Sequence, residues 1–120
     1  MIQREVIAGD TFPIIYRHRQ DGQIADLPEG YDYMIGMHKE NGENITTFSY
    51  QNGDIERTEL GTYVWKISHD LSKQLKGTVV VEMVVYSADL SYVHHCNEPI
   101  QLKVIPSFMN EKIADNTNND

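Results

Sequence analysis

The chain has 120 residues and carries 10 Lys and Arg against 18 Asp and Glu, a formal net charge of 10 − 18 = −8. That is the usual size of one domain, large enough to bury a core without a covalent staple, and with Cys96 as its only cysteine an intrachain disulfide is excluded. The acidic balance argues against a nucleic-acid partner, since the densest basic stretch is Arg17-His18-Arg19; the longest apolar run, Val79-Val80-Val81, is far short of the ~20 residues that cross a bilayer, so no membrane role is expected.

Met1 to Glu5 contain no apolar run of the kind a secretory signal needs, and synthesis in a bacterial cytoplasm is the expected localisation. The acceptor triplet Asn44-Ile45-Thr46 therefore carries little weight. From Phe12 onward the dominant signal is period-2 alternation, in which successive side chains of a strand face opposite ways. Phe12, Ile14 and Tyr16 form the first stripe, and Asp21-Gly22 supplies a tight turn. Tyr31, Tyr33, Ile35 and Met37 form the next, closed by Asn41-Gly42. Ile45 to Tyr50 reads as a short strand ending at Asn52-Gly53.

Tyr63, Trp65 and Ile67 repeat the pattern. Asp70 to Gly77 breaks it and is expected to form one helical turn, with Asp70 as cap and Gly77 as stop. Val79, Val81, Met83 and Val85 line one face of a long strand, with Val80, Glu82 and Val84 on the other. Ser87 to Ser91 reads as a hairpin loop, and the chain returns from Tyr92 to Val104 with Ile100, Leu102 and Val104 inward and a bend at Pro99. The expected architecture is an all-β antiparallel sandwich of about seven strands. Residues 1–109 would make the sandwich domain. Residues 110–120, polar and rich in Asn and Asp, would make a flexible acidic C-terminal tail.

No motif assembles a reaction centre. His94-His95-Cys96 attracts attention, with His18, His38 and His69 elsewhere. In a strand His94 and Cys96 share a face and His95 does not, and no CxxC or HxxxH spacing is present. Strand packing is the expected role of these residues, with no metal, no cofactor and no catalytic group assigned. Cys96 as a nucleophile would need an oriented base, and the sequence supplies none. There is no G-x-S-x-G, no G-x-G-x-x-G and no P-loop. Asp10, Asp21, Asp26, Asp32, Glu43, Asp54 and Asp89 fall near loops or strand ends, where turn chemistry is the default and calcium binding lacks EF-hand spacing. Tyr50, Tyr86 and Tyr92 fall at strand ends, where rim packing is the ordinary role and a sugar- or protein-contact platform the alternative.

Taken in order, Gly9-Asp10-Thr11-Phe12-Pro13-Ile14, the run Asp21 to Tyr31, Gly61-Thr62-Tyr63-Val64-Trp65, Leu75-Lys76-Gly77 and Pro99 to Val104 resemble a family of small sandwich proteins of tailed phages and prophages. Two segments depart from its pattern: Gly77-Thr78-Val79-Val80-Val81 lacks the family's tyrosines, and Ala88-Asp89-Leu90 replaces its hairpin Asp-Gly. The resemblance implies an immunoglobulin-like sandwich and a structural role in a virion, as a tail or baseplate accessory, and it carries over no catalytic residue. The expectation is a non-enzymatic protein whose partners are other phage structural proteins or copies of itself. A carbohydrate-binding module is the alternative.

Overall fold

The computed structural model describes residues 1–96, 98–110, 112 and 113. Eleven strands and one short helix are defined among them: β1 (Ile2–Ile7), β2 (Pro13–Arg17), β3 (Arg19–Gln20), β4 (Gln23–Ile24), β5 (Tyr31–Lys39), β6 (Asn44–Ser49), β7 (Glu56–Glu59), β8 (Thr62–Lys66), α1 (His69–Gln74), β9 (Thr78–Ser87), β10 (Val93–His95) and β11 (Ile100–Ile105). Residues 108–110, 112 and 113 are also helical.

The fold is all-β and sandwich-like. One sheet runs β1-β11-β9-β5-β6, with β10 also paired to β9; the second runs β2-β8-β7, and β3 and β4 form a separate two-stranded pair. The alternating stripes read from the sequence meet between the sheets. Tyr33, Ile35 and Met37 of β5, Val79, Val81, Met83 and Val85 of β9, and Leu102 and Val104 of β11 pack against Phe12, Ile14, Tyr63, Trp65 and Ile67 in one core. Aromatic rings span the gap: Tyr16 stacks on Tyr33 with centroids 4.8 Å apart. Each Å² of apolar surface that these side chains remove from water contributes roughly 25 cal/mol, which makes this inward set the main source of stability.

Three expectations are corrected. The sheets are not wholly antiparallel: β1 pairs with β11 in parallel, Ile2 opposite Ile100 through Ile7 opposite Ile105. The strand β1 gave no periodic signal because only Val6 of its six residues is buried. It is held instead by backbone bonding to β11 and by Arg4, whose guanidinium lies 5.4 Å from the centre of the Phe12 ring. The second correction is the strand count, eleven against the expected seven or so; among those without an inward stripe is β7, four exposed residues paired to β8 with a register shift between Arg57 and Glu59. The third is the helix cap. Ser68 has extended backbone (φ −75°, ψ 156°) and its side chain accepts from the Leu71 N–H, so Ser68 caps α1 and Asp70 sits in the first turn. The helix gives way to extended backbone at Leu75, and Gly77, at φ +66°, leads into β9.

Asn110 ties the loop after β1 to the segment that follows β11. Its Nδ2 donates to the Ala8 carbonyl at 2.9 Å and to Asp10 Oδ1 at 2.8 Å. The rest of the segment expected to be a flexible tail, residues 111 and 114–120, lies outside the described residues. No helix among the described residues is long and apolar enough to cross a membrane.

Candidate functional site

The loops at one end of the sandwich converge on a cleft. The β4–β5 connection is shaped by a turn in which the Tyr31 N–H donates to the Pro28 carbonyl at 3.1 Å, with Gly30 at φ +82°, the left-handed conformation glycine adopts without penalty. Three bonds tie this connection to the opposite sheet. Asp26 Oδ1 accepts from Gly61 N–H at 2.7 Å and from Arg57 Nε at 2.9 Å, and the Leu27 N–H donates to the Tyr63 hydroxyl at 2.8 Å. The Arg57 guanidinium, then the Gly61 N–H, hold the Asp26 carboxyl below the usual carboxylate range.

The other wall is the β6–β7 loop, anchored by a buried carboxylate. Asp32 Oδ1 accepts from the N–H groups of Tyr33 (2.8 Å) and Gln51 (3.0 Å), and its Oδ2 accepts from the Tyr86 hydroxyl (3.1 Å). Buried polar oxygens are costly unless hydrogen-bonded, and these donors satisfy both. Gln51 Nε2 donates to the Tyr31 carbonyl at 2.9 Å, so Gln51 is held through both its backbone and its side chain. Tyr50 precedes Gln51, its ring edge-on to Tyr63 with centroids 5.0 Å apart.

The resulting hollow, about 260 Å³, is lined by Tyr31, Tyr50 and Tyr63 with Asp26, Glu29 and Arg57 at its polar side. A second hollow of about 430 Å³ adjoins it, sharing Glu29, Gly30 and Tyr31 and bounded by the β9–β10 hairpin loop. In that loop Asp89 takes the N–H and hydroxyl of Ser91 and the hydroxyl of Ser87, which pull its carboxyl down to about 2.

Of the strand-end tyrosines, Tyr50 lines the cleft, Tyr86 is used on Asp32, and Tyr92 lies against Tyr31 with ring centroids 5.7 Å apart. Tyr31, read as core, is half-buried at the rim. Arg57 and Gln51 were not legible in advance. Arg57 belongs to the all-exposed strand β7, and Gln51 is one polar residue beside a turn.

The histidines scatter. His18 shares a 2.7 Å hydrogen bond with the Tyr16 hydroxyl, and burial lowers its pKa. His69 Nδ1 donates to the Gly9 carbonyl at 2.7 Å, next to Ser72, whose Oγ accepts from Gly9 N–H at 3.0 Å. His38 and His95 flank Glu82 on the outer sheet face, with Nε2 at 3.6 Å and 3.9 Å from its two oxygens, while His94 lies near the Tyr92 ring. Among the described residues no three His, Cys, Asp or Glu side chains are placed to hold a metal ion. Cys96 packs against the core, and burial pushes its thiol up to about 11. Elsewhere, a cavity of about 280 Å³ lies between the end of α1 and the end of β11, with Lys73 and Lys76 beside Leu75, Val104 and Pro106.

The chain matches no model of a known protein family and no curated protein.

Proposed function

We propose that this protein is a non-enzymatic structural component of a tailed phage or prophage, a tail or baseplate accessory with an immunoglobulin-like sandwich, acting by assembly with neighbouring structural subunits. The observation that carries the reading is an open sheet edge with exposed apolar side chains at its end. β1 ends its sheet, and in a parallel pairing the backbone groups of alternate residues, here Gln3 and Glu5, point away from β11. Such an edge is a template for another chain.

Large apolar side chains cluster around it. Ile7 and Ile105 are cross-strand partners, 42% and 38% exposed, and Phe108 and Met109 just beyond β11 are 83% and 67% exposed. Exposed apolar groups gathered at one place are characteristic of a contact surface. The order of motifs along the chain supports the phage assignment, and the high pKa of the Cys96 thiol supports a role without nucleophilic chemistry.

The test is co-purification of the full chain with the proteins encoded by its neighbouring genes, with the particle size read by light scattering. A complex with a tail or baseplate component, weakened at least tenfold by Phe108→Glu or Ile7→Lys, is the expected result. A strict monomer that captures no such component overturns the reading.

A further inference from the structure

The cleft between the β4–β5 and β6–β7 loops has no part in the assembly reading and stands independently of it. We propose that it is a binding site for a neutral carbohydrate, one pyranose ring lying between Tyr31 and Tyr50 and a second reaching into the adjoining hollow.

A sugar presents two kinds of surface, apolar C–H faces and hydroxyls that donate and accept at once. Its site therefore needs aromatic ring faces together with donors and acceptors of both kinds. Tyr31 and Tyr50 are half-buried tyrosines lining the hollow. Among the described residues their hydroxyls make no hydrogen bond, in contrast to those of Tyr16, Tyr63 and Tyr86. Arg57 uses only Nε on Asp26, which leaves its terminal nitrogens as donors. The carboxylate of Glu29, Oδ2 of Asp26 and Oε1 of Gln51 are acceptors with no donor among the described residues.

Hydrated polar groups are common on any surface. Here, however, three of the side chains are held in place through their other atoms. Asp26 is fixed by Gly61 and Arg57, Arg57 by Asp26, and Gln51 by Tyr31 and the buried Asp32. Groups fixed beforehand lose little entropy when a ligand arrives, which favours binding by weak individual contacts.

Charge narrows the ligand class. Asp26 and Glu29 against Arg57 leave the cleft net negative, on a chain of net charge −8. An anionic sugar such as a sialoside or a sugar phosphate is disfavoured, and a neutral hexose or N-acetylhexosamine is accepted. The two hollows, about 260 and 430 Å³, are open to solvent and share Glu29, Gly30 and Tyr31, which suits a short sugar held at the surface.

The test is saturation-transfer NMR and calorimetry on the full chain. The probes are maltose, lactose, cellobiose and N,N′-diacetylchitobiose, with 3′-sialyllactose as the anionic control. The expected result is binding of at least one neutral disaccharide and none of the sialoside. Arg57→Gln and Glu29→Ala each weaken binding about tenfold, the change expected for losing one charge-assisted hydrogen bond. Lys73→Ala, in the separate cavity near α1, leaves it unchanged. Tyr50→Ala removes binding as well, and should that variant unfold, Glu29→Ala decides the question because Glu29 supports no other group among the described residues. No binding of any neutral probe, a preference for the sialoside, or binding indifferent to both Arg57→Gln and Glu29→Ala overturns the proposal. Loss of the assembly partner alone does not touch it.

Discussion

The Phe48 and Trp65 rings meet with centroids 4.5 Å apart, joining edge strand β6 of one sheet to central strand β8 of the other. Trp65 is 4% exposed. Trp65→Ala is expected to cost about 3–5 kcal/mol in urea unfolding, the range for truncating a buried aromatic. A double-mutant cycle with Phe48→Ala should return about 0.5–1.5 kcal/mol of coupling. Additive effects would mean that the rings are neighbours without mutual stabilisation.

Tyr33 makes the opposite case. Its ring is fully buried between the sheets, yet its hydroxyl has no hydrogen-bond partner among the described residues. A buried hydroxyl without a partner bears its full desolvation cost. Tyr33→Phe is therefore expected to leave stability unchanged or raise it by about 1 kcal/mol, measured by the urea midpoint. A loss comparable to that of Trp65→Ala would show that the hydroxyl is bonded in solution.

Gly61 and Gly22 both have positive φ, +67° and +80°, but different surroundings. A Cβ at Gly61 would stand 2.7 Å from Ile24 Cγ2 and 2.8 Å from the Ala25 carbonyl oxygen, whereas one at Gly22 would meet nothing within 4 Å. Gly22→Ala should cost about 1 kcal/mol, from backbone strain alone. Gly61→Ala should cost roughly 2 kcal/mol or more, because it also pushes the β4–β5 loop away and disturbs the Asp26 contacts.

The lowered pKa of Asp26 makes its contribution pH-dependent with a definite sign. A carboxyl whose folded pKa lies below its unfolded value of 3.8 stabilises the fold above that value, and the contribution is lost as pH falls through the folded pKa. Asp26→Asn should be less stable than the parent near neutral pH, with the gap closing as pH drops below about 3.8. Chemical unfolding of both proteins across that range reads the effect. A gap that stays constant would assign the loss to geometry rather than to charge.

Cys96, with its thiol raised to about 11 from 9.0, should hold on the order of a hundredfold less thiolate at neutral pH than an ordinary cysteine. Its labelling by a disulfide reagent should be correspondingly slow in the native protein and rise to the free-thiol rate in denaturant. Fast native labelling would mean that a nearby cation, absent from its surroundings as described, activates the thiol.

Much of the sandwich was legible in the residues themselves. Alternation at Tyr33-Ile35-Met37, Tyr63-Trp65-Ile67 and Val79-Val81-Met83-Val85 sorts side chains to one face through strand geometry alone, and Asp21-Gly22 and Asn41-Gly42 mark turns because few residues tolerate positive φ. What escaped is held by partners distant in sequence. β1 exists because β11 offers it backbone groups across about a hundred residues, and β7 exists because β8 does; neither has an inward apolar stripe to announce it.

The cleft divides the same way. Asp26 and Tyr50 stood out as a loop carboxylate and a strand-end tyrosine, but Arg57, 31 residues from Asp26, and Gln51, 19 from Asp32, join them only through hydrogen bonds between separate loops. Local pattern thus determined which residues face inward and where the chain turns, since both follow from the geometry of adjacent residues. Which strands pair, in which direction, and which polar groups meet at the sandwich end was decided by tertiary packing, because those contacts close between segments whose separation no periodicity encodes.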